Sequence, residues 1–154
     1  MPKIDPATAP VLAGSSYPAP FDEPCKGRLA IRLGMGADLT QFGVNLVTLS
    51  PGAWSSQRHW HAKEDEFVWV VDGELVLVED EGETVLRAGD CAGWKAGVQN
   101  GHHLVNRSGR PARILAVGAR DDADHGEYPD IDMRFGQNRY SGGGGFTHKD
   151  GAPY

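Results

Sequence analysis

The stretch that decides the fold covers residues 59–73 and reads HWHAKEDEFVWVVDG. Side chains alternate between two faces along a β-strand, so a strand through His59 and His61 projects both imidazoles to one side and Trp60 to the other. A second strand is predicted to begin at Glu66. Two imidazoles on one face, followed by a carboxylate, form a donor set that suits a metal ion.

The dipeptide Asp72-Gly73 predicts a two-residue β-hairpin, because Asp-Gly fits the primed turn whose twist matches the flanking strands. Val70 then pairs with Leu75. The pattern puts Val68, Val70, Leu75 and Leu77 on the face of Glu66, and Phe67, Trp69, Val71, Val76 and Val78 on the other face. Since both faces are apolar, the outer one needs a cover. We expect the N-terminal arm or the second subunit of a homodimer to supply it.

Outside this stretch, residues 27–120 consist of short β-favouring runs separated by glycine, proline and aspartate. Seven or more such runs predict an all-β antiparallel sandwich or barrel. Residues 1–26 are predicted to form an N-terminal arm, because six of the ten prolines lie there. Residues 121–154 are acidic and irregular, with glycine-rich sequence at 142–145, and are expected to be a C-terminal extension that packs on or near the barrel.

The composition argues against several classes of partner. A net charge of −6 disfavours nonspecific binding to nucleic acid. No apolar run approaches the roughly 20 residues of a membrane span. Cys25 and Cys91 lie far apart, and no leader segment precedes them, so we expect reduced thiols in a cytoplasmic protein. A small-molecule ligand is the expected partner.

A third strand is predicted around HHLVN at residues 102–106. His102 and Asn106 share one of its faces, and His103 points to the other. Two histidines from one strand, a carboxylate from the next and a histidine from this third strand are predicted to converge inside a barrel. Three imidazoles and one carboxylate suit zinc, manganese, iron or nickel and exclude none of these divalent ions.

These residues resemble the two conserved motifs of the cupin family. The first motif reads here as Gly52, His59, His61, Glu66 and Gly73, and the second as Gly89, Lys95, Gly97, His102 and Asn106. The first spacer is one residue longer than usual, Lys95 replaces a proline, and the gap from Gly97 to His102 has two extra residues. The resemblance covers roughly residues 46–117.

The resemblance implies a double-stranded β-helix, or jelly-roll barrel, with a metal held by His59, His61, Glu66 and His102. His102 is preferred to His103 because the family motif places this histidine four residues before Asn106. The C-terminal sequence is also similar to that of small bacterial cupins for which a sugar-phosphate isomerase function has been suggested.

The functional hypothesis is a metal-dependent enzyme that acts on a small oxygenated metabolite, with an isomerase reaction as the first choice. Glu66 is the expected base. Substrate contacts are predicted for Gln57, Asn100, Trp94 and Asn106. One alternative is an iron-dependent dioxygenase, and the other is a noncatalytic sugar- or metabolite-binding module in which the metal anchors the ligand.

Overall fold

The computed structural model describes residues 3–154, which form β-strands and two short 3₁₀ helices, at Glu23–Cys25 and Met35–Ala37, but no α-helix. The strands are β1 (Val11–Ala13), β2 (Arg28–Ile31), β3 (Phe42–Leu49), β4 (Trp60–His61), β5 (Glu66–Asp72), β6 (Glu74–Glu79), β7 (Gly82–Arg87), β8 (Cys91–Trp94), β9 (His103–Val105), β10 (Ala112–Ala119), β11 (Gly126–Tyr128), β12 (Met133–Phe135) and β13 (Phe146–Thr147).

One layer of the barrel is a six-stranded antiparallel sheet with the order β1-β2-β3-β10-β5-β8. Its inner face follows the period of two that a strand requires. On β5, for example, Val68 and Val70 are buried, whereas Phe67 and Trp69 are exposed on the other side. The predicted distribution of apolar residues between the two faces of this strand is confirmed.

The opposite layer combines two smaller sheets, β7-β6-β9 and β4-β11-β12-β13. Isolated bridges connect them, from Trp54 to Val105 and from His59 to His102. Of the strand predicted through residues 55–61, only Trp60–His61 forms a β-strand. His59 is joined to His102 by an isolated bridge. Strands β11 to β13 belong to the C-terminal residues and widen this layer.

The hydrophobic core lies between the two layers. Its fully buried members come from both of them, and include Leu49, Val70, Leu75 and Ala112. A second apolar cluster joins the N-terminal residues to the C-terminal strands, and consists of Tyr128, Met133 and Phe135 with Tyr17, Phe21, Ile131 and Phe146 packed against them. Burial of these apolar surfaces supplies the main favourable free energy of folding.

The prediction of a β-hairpin at Asp72-Gly73 is wrong, because β5 and β6 do not pair with each other. Strand β5 pairs with β10 and β8, whereas β6 pairs with β7 and β9. Gly73 therefore turns the chain from one layer into the other, and does not return it along the same sheet. The hairpin follows one strand later, where Glu79 of β6 pairs with Gly82 of β7. The chain through residues 3–154 contains no helix with the length and apolar character needed to cross a membrane.

Candidate metal centre

Four side chains predicted from the sequence meet at one end of the barrel interior. The Oε2 atom of Glu66 lies 2.8 Å from Nε2 of His102, 3.5 Å from Nε2 of His61 and 3.9 Å from Nε2 of His59. His59 and His61 come from the chain at β4, Glu66 begins β5, and His102 directly precedes β9. The structure therefore brings together the four residues that the alternation of strand faces had indicated.

The other ring nitrogen of each histidine contacts an acceptor that fixes the orientation of the ring. Nδ1 of His59 lies 2.8 Å from the Gln57 carbonyl oxygen, and Nδ1 of His102 lies 3.1 Å from the Asn100 carbonyl oxygen. His61 donates from Nδ1 to Asp124 over 2.7 Å. Acceptors of this kind leave Nε2 as the ligand atom, which is the usual arrangement around histidines that bind metals.

The ionisation states of His59 and Glu66 also suit a cation. Burial lowers the pKa of His59 to about 3, so its imidazole is neutral at physiological pH. Burial raises the pKa of Glu66, but the hydrogen bond to His102 and the neighbouring imidazoles outweigh this effect and hold its pKa well below the usual range. A neutral imidazole and an ionised carboxylate are the forms that bind metal ions. His59, His61 and Glu66 form a compact donor group that could hold a metal ion, and His102 contacts Glu66 beside it.

A buried polar network behind His61 was not predicted from the sequence. Asp124 is fully buried and accepts hydrogen bonds from His61 and from the Lys63 amide. Arg139 donates to Asp124 and to the buried carboxylate of Glu64, over 2.7 and 2.8 Å. Burial raises the pKa of Asp124, but its hydrogen bonds to His61 and Lys63 outweigh burial and lower it. Asp124 thus remains an anion that orients His61.

Trp94 contacts the centre by stacking on the ring of His102, with ring centroids 3.8 Å apart and an interplanar angle of 4°. Its indole N–H donates to Glu79 over 2.8 Å, and Asn100 donates to the same carboxylate oxygen over 2.9 Å. The stacking on His102 therefore fixes one face of the indole, and the hydrogen bond to Glu79 fixes its N–H edge. Trp94 lines the cavity in front of the histidines, and its contact with a ligand stays a prediction.

Three residues predicted to bind substrate do not line this cavity. Gln57 donates to the Phe21 carbonyl and ties the N-terminal residues to the barrel. Asn106 is fully buried and donates to two backbone carbonyls, and Asn100 accepts from the Asp80 amide in addition to contacting Glu79. The amides of Gln57, Asn100 and Asn106 thus satisfy backbone and side-chain groups of the fold, and the substrate contacts expected of them stay a prediction.

His103 is buried and separated from the carboxylate around which the other histidines meet. Its Nδ1 lies 3.0 Å from the Ser56 carbonyl oxygen, and its ring packs edge-on against Trp54 at 4.6 Å. Burial lowers the pKa of His103. His102, and not His103, contacts Glu66, in agreement with the choice made from the spacing to Asn106.

A cavity of about 760 Å³ opens in front of the four predicted ligands. Its wall combines aromatic residues, such as Tyr128 and Phe135, with the charged residues Arg28, Arg32 and Arg120. This volume lies within the range of small-molecule sites, which is roughly 300–1,000 Å³. The arrangement can bind a small molecule beside a metal ion.

Comparisons with known proteins agree with this architecture. The Cupin_2 family, described as a cupin domain, matches residues 45–118. A structure described as a sugar phosphate isomerase from a cupin superfamily, from Silicibacter pomeroyi DSS-3, shares 47% sequence identity with a TM-score of 0.93, over 99% of this chain and 96% of that chain. The chain therefore belongs to the cupin superfamily.

Two more distant structures place the match in context. A protein from Acidithiobacillus ferrooxidans, named as a proposed sugar phosphate isomerase, is 25% identical over 84% of this chain and 83% of that chain, with a TM-score of 0.75. The polyketide cyclase RemF from Streptomyces resistomycificus is 19% identical over 79% of this chain and 80% of that chain, with a TM-score of 0.64, and supports the fold alone. No curated protein matches the sequence.

Proposed function

We propose that the protein is a metal-dependent enzyme that isomerises a small oxygenated metabolite of the sugar-phosphate type. The observation that carries the proposal is the convergence of three imidazole Nε2 atoms on one carboxylate oxygen of Glu66 at the end of an accessible cavity. The similarity to the Silicibacter pomeroyi protein supports the choice of reaction.

In this proposal, His59, His61, Glu66 and His102 hold the ion. When bound, a divalent cation supplies a Lewis acid that polarises a carbonyl and its neighbouring hydroxyl. Trp94 closes one side of the site and offers an apolar face beside His102. In this arrangement these residues orient a ligand beside the ion.

The role of Glu66 as the base stays a prediction from the sequence. A carboxylate with a pKa well below its usual range accepts a proton poorly, which favours a ligand role over a proton-transfer role for Glu66. Tyr140 also lines the cavity and carries a hydroxyl proton. Its hydroxyl donates a hydrogen bond to Glu64 over 2.8 Å. Burial and this hydrogen bond raise the pKa of Tyr140, so its hydroxyl stays protonated at physiological pH.

Elemental analysis of protein purified without added metal tests the metal site. We expect the wild type to retain a divalent ion and the double variant His59→Ala, His61→Ala to lose it, because the variant removes two imidazole ligands. His125→Ala and His148→Ala are matched controls, since neither ring contacts Glu66 or lines the cavity. Equal, low metal contents in the wild type and the double variant would contradict the proposal.

Nuclear magnetic resonance of wild-type protein incubated with aldose and ketose phosphates tests the reaction. Interconversion that the double variant and a chelator both abolish is the expected result. If the metal binds but no phosphorylated sugar is converted, the isomerase assignment fails, and a role as a binding module replaces it. Bound iron together with oxygen consumption would favour the dioxygenase.

A further inference from the structure

A cluster of nitrogen donors lies on the cavity wall, apart from the histidines. The Nε and Nη2 atoms of Arg120 and the Nδ2 atom of Asn45 each lie 3.7 Å from the point that a Cβ atom on Gly43 would occupy. Gly43 itself has no side chain, and all three residues line the cavity. The nitrogen atoms of Arg120 and Asn45 therefore cluster directly above Gly43, at van der Waals contact distance from a Cβ atom there.

These nitrogen donors make few hydrogen bonds within the protein. The Arg120 guanidinium donates from Nη1 to the Leu39 carbonyl and lies over the ring of Tyr140 at 5.5 Å. In residues 3–154 no carboxylate lies within ion-pair distance of Arg120, and Asn45 Nδ2 has no protein acceptor. The guanidinium therefore presents Nε and Nη2 to the cavity as free donors.

In the part of the chain that the structure describes, three of the four arginines that line the cavity have no carboxylate partner, whereas the fourth, Arg139, pairs with Glu64 and Asp124. The arginines with carboxylate partners are Arg58, Arg87, Arg107, Arg113, Arg134 and Arg139. Within the described chain, Arg28, Arg32 and Arg120 line the cavity without such a partner. Nε of Arg28 is buried and makes no hydrogen bond. Half-buried cations without a carboxylate partner favour an anionic ligand in the cavity, because a charge partly withdrawn from water gains from a counter-charge.

The strand register places this cluster in line with the candidate metal centre. Glu66 pairs with Gly118 of β10, and Gly118 pairs with Gly43 of β3. Two strand spacings therefore separate Glu66 from Gly43, which is about 10 Å. Gly118 and Gly43 themselves contribute no side chain to the wall between the two sites, which the side chains of Glu66, Arg120 and Asn45 border. A molecule of several carbon atoms fits along this wall, with one end at Glu66 and the other at Arg120.

We propose that Arg120 and Asn45 form a subsite for the anionic group of the ligand, a phosphate or a carboxylate, whose oxygenated end meets the metal centre. This inference rests on the proposed function for the position of the ligand's other end. The planar guanidinium donates two parallel N–H groups to such an anion, and Asn45 adds a third donor. Arg32 lies one residue beyond the Ile31–Leu46 pair, level with Asn45, and contributes positive charge.

Calorimetric titration with inorganic phosphate, and separately with acetate, tests the subsite and distinguishes the two anions. We expect the wild type to bind at least one of them, and Arg120→Gln to weaken that binding by about tenfold or more, because a charged hydrogen-bond donor is lost. Asn45→Asp is nearly isosteric and gives Arg120 an internal carboxylate partner, so it should fold normally and abolish anion binding.

The matched control is Arg113→Gln, because Arg113 pairs with Asp72 and does not line the cavity. Thermal unfolding of each variant confirms that it is folded. Four results would overturn the subsite: no binding of either anion by the wild type, wild-type affinity in Arg120→Gln, wild-type affinity in Asn45→Asp, or an equal loss of affinity in Arg113→Gln.

The same titration in the variant His59→Ala, His61→Ala separates this inference from the proposed function. Anion binding that survives the loss of the metal, and still depends on Arg120, supports the subsite alone. If the wild type holds no metal yet binds phosphate through Arg120, the metal-dependent function fails and the anion site stands. If metal binding is intact but Arg120→Gln has no effect on either anion, the subsite fails and the metal centre stands.

Discussion

Asp124, in the C-terminal part of the chain, orients the imidazole of His61. Its carboxylate accepts a hydrogen bond from Nδ1 of His61 over 2.7 Å and is itself fully buried. We expect Asp124→Asn to weaken metal affinity by about 10- to 100-fold, because an amide neither orients the imidazole nor increases its basicity as a carboxylate does. Competition with a fluorescent chelator measures this affinity.

A purely structural role for Asp124 would have a different signature. Asp124→Asn would then lower the thermal midpoint of the metal-free protein, while the rise in that midpoint on adding metal would equal the rise in the wild type. The matched control is Asp132→Asn, because Asp132 contacts Nδ1 of His148 at 3.0 Å away from the cavity. Unchanged affinity in Asp124→Asn would contradict the positioning role.

The sequence identifies His59, His61 and Glu66 because these residues are close together and strand alternation decides which way they point. The contact of Asp124 with His61 cannot be predicted in the same way, because the two residues lie 63 positions apart and no local pattern connects them. The amides of Gln57 and Asn106 do not line the cavity. Polar residues near a motif are expected to face the ligand, but here they satisfy backbone carbonyls.

Gly73 is the element-scale feature that directs the chain from one layer of the barrel into the other. Its φ is +85°, and a Cβ atom there would lie 2.7 Å from Cβ of Ala112. We expect Gly73→Ala to reduce the free energy of unfolding by about 2–4 kcal/mol, through the positive φ together with the overlap. Chemical denaturation measures the change.

Gly52→Ala separates the two contributions. Gly52 has a φ of +82°, but nothing lies within 4 Å of its added Cβ, so this variant should cost only about 1 kcal/mol. If both variants lose the same stability, the close contact with Ala112 contributes nothing.

The turn at Gly73 also explains why the prediction of strand faces is confirmed whereas the prediction of a hairpin is wrong. The alternation along β5 and β6 depends only on the direction of each side chain, so it survives whichever strands become partners. The dipeptide Asp-Gly accommodates positive φ at a tight hairpin and equally at a corner between sheets. Only the long-range pairing of β5 with β10 distinguishes these outcomes, and that pairing joins residues far apart in the chain.

At the scale of the whole molecule, the outer face of the six-stranded sheet remains apolar. Large side chains exposed there include Val11, Leu29, Phe67, Trp69 and Val71, with Trp69 half exposed at 50%. We propose that this face forms a homodimer, since apolar patches of this kind mark contact surfaces. We expect sedimentation velocity to show a dimer at micromolar concentration and Trp69→Lys to weaken it by about tenfold or more.

Val98→Lys is the matched control, because Val98 is 53% exposed but lies between β8 and β9, outside this sheet. It should sediment as the wild type does. A wild-type protein that sediments as a monomer at micromolar concentration would contradict the dimer, and so would an equal effect of Val98→Lys.

The hydrogen bond between His61 and Asp124 also constrains the order in which the molecule can assemble. During synthesis the histidine leaves the ribosome 63 residues ahead of the carboxylate that orients it. The partner strand of β4, at Gly126–Tyr128, arrives equally late. Contacts between distant parts of a chain form slowly, because closing a long loop costs entropy before any contact compensates for it. The nascent barrel must therefore wait for its last strands before the imidazole of His61 is held in the orientation that binding requires.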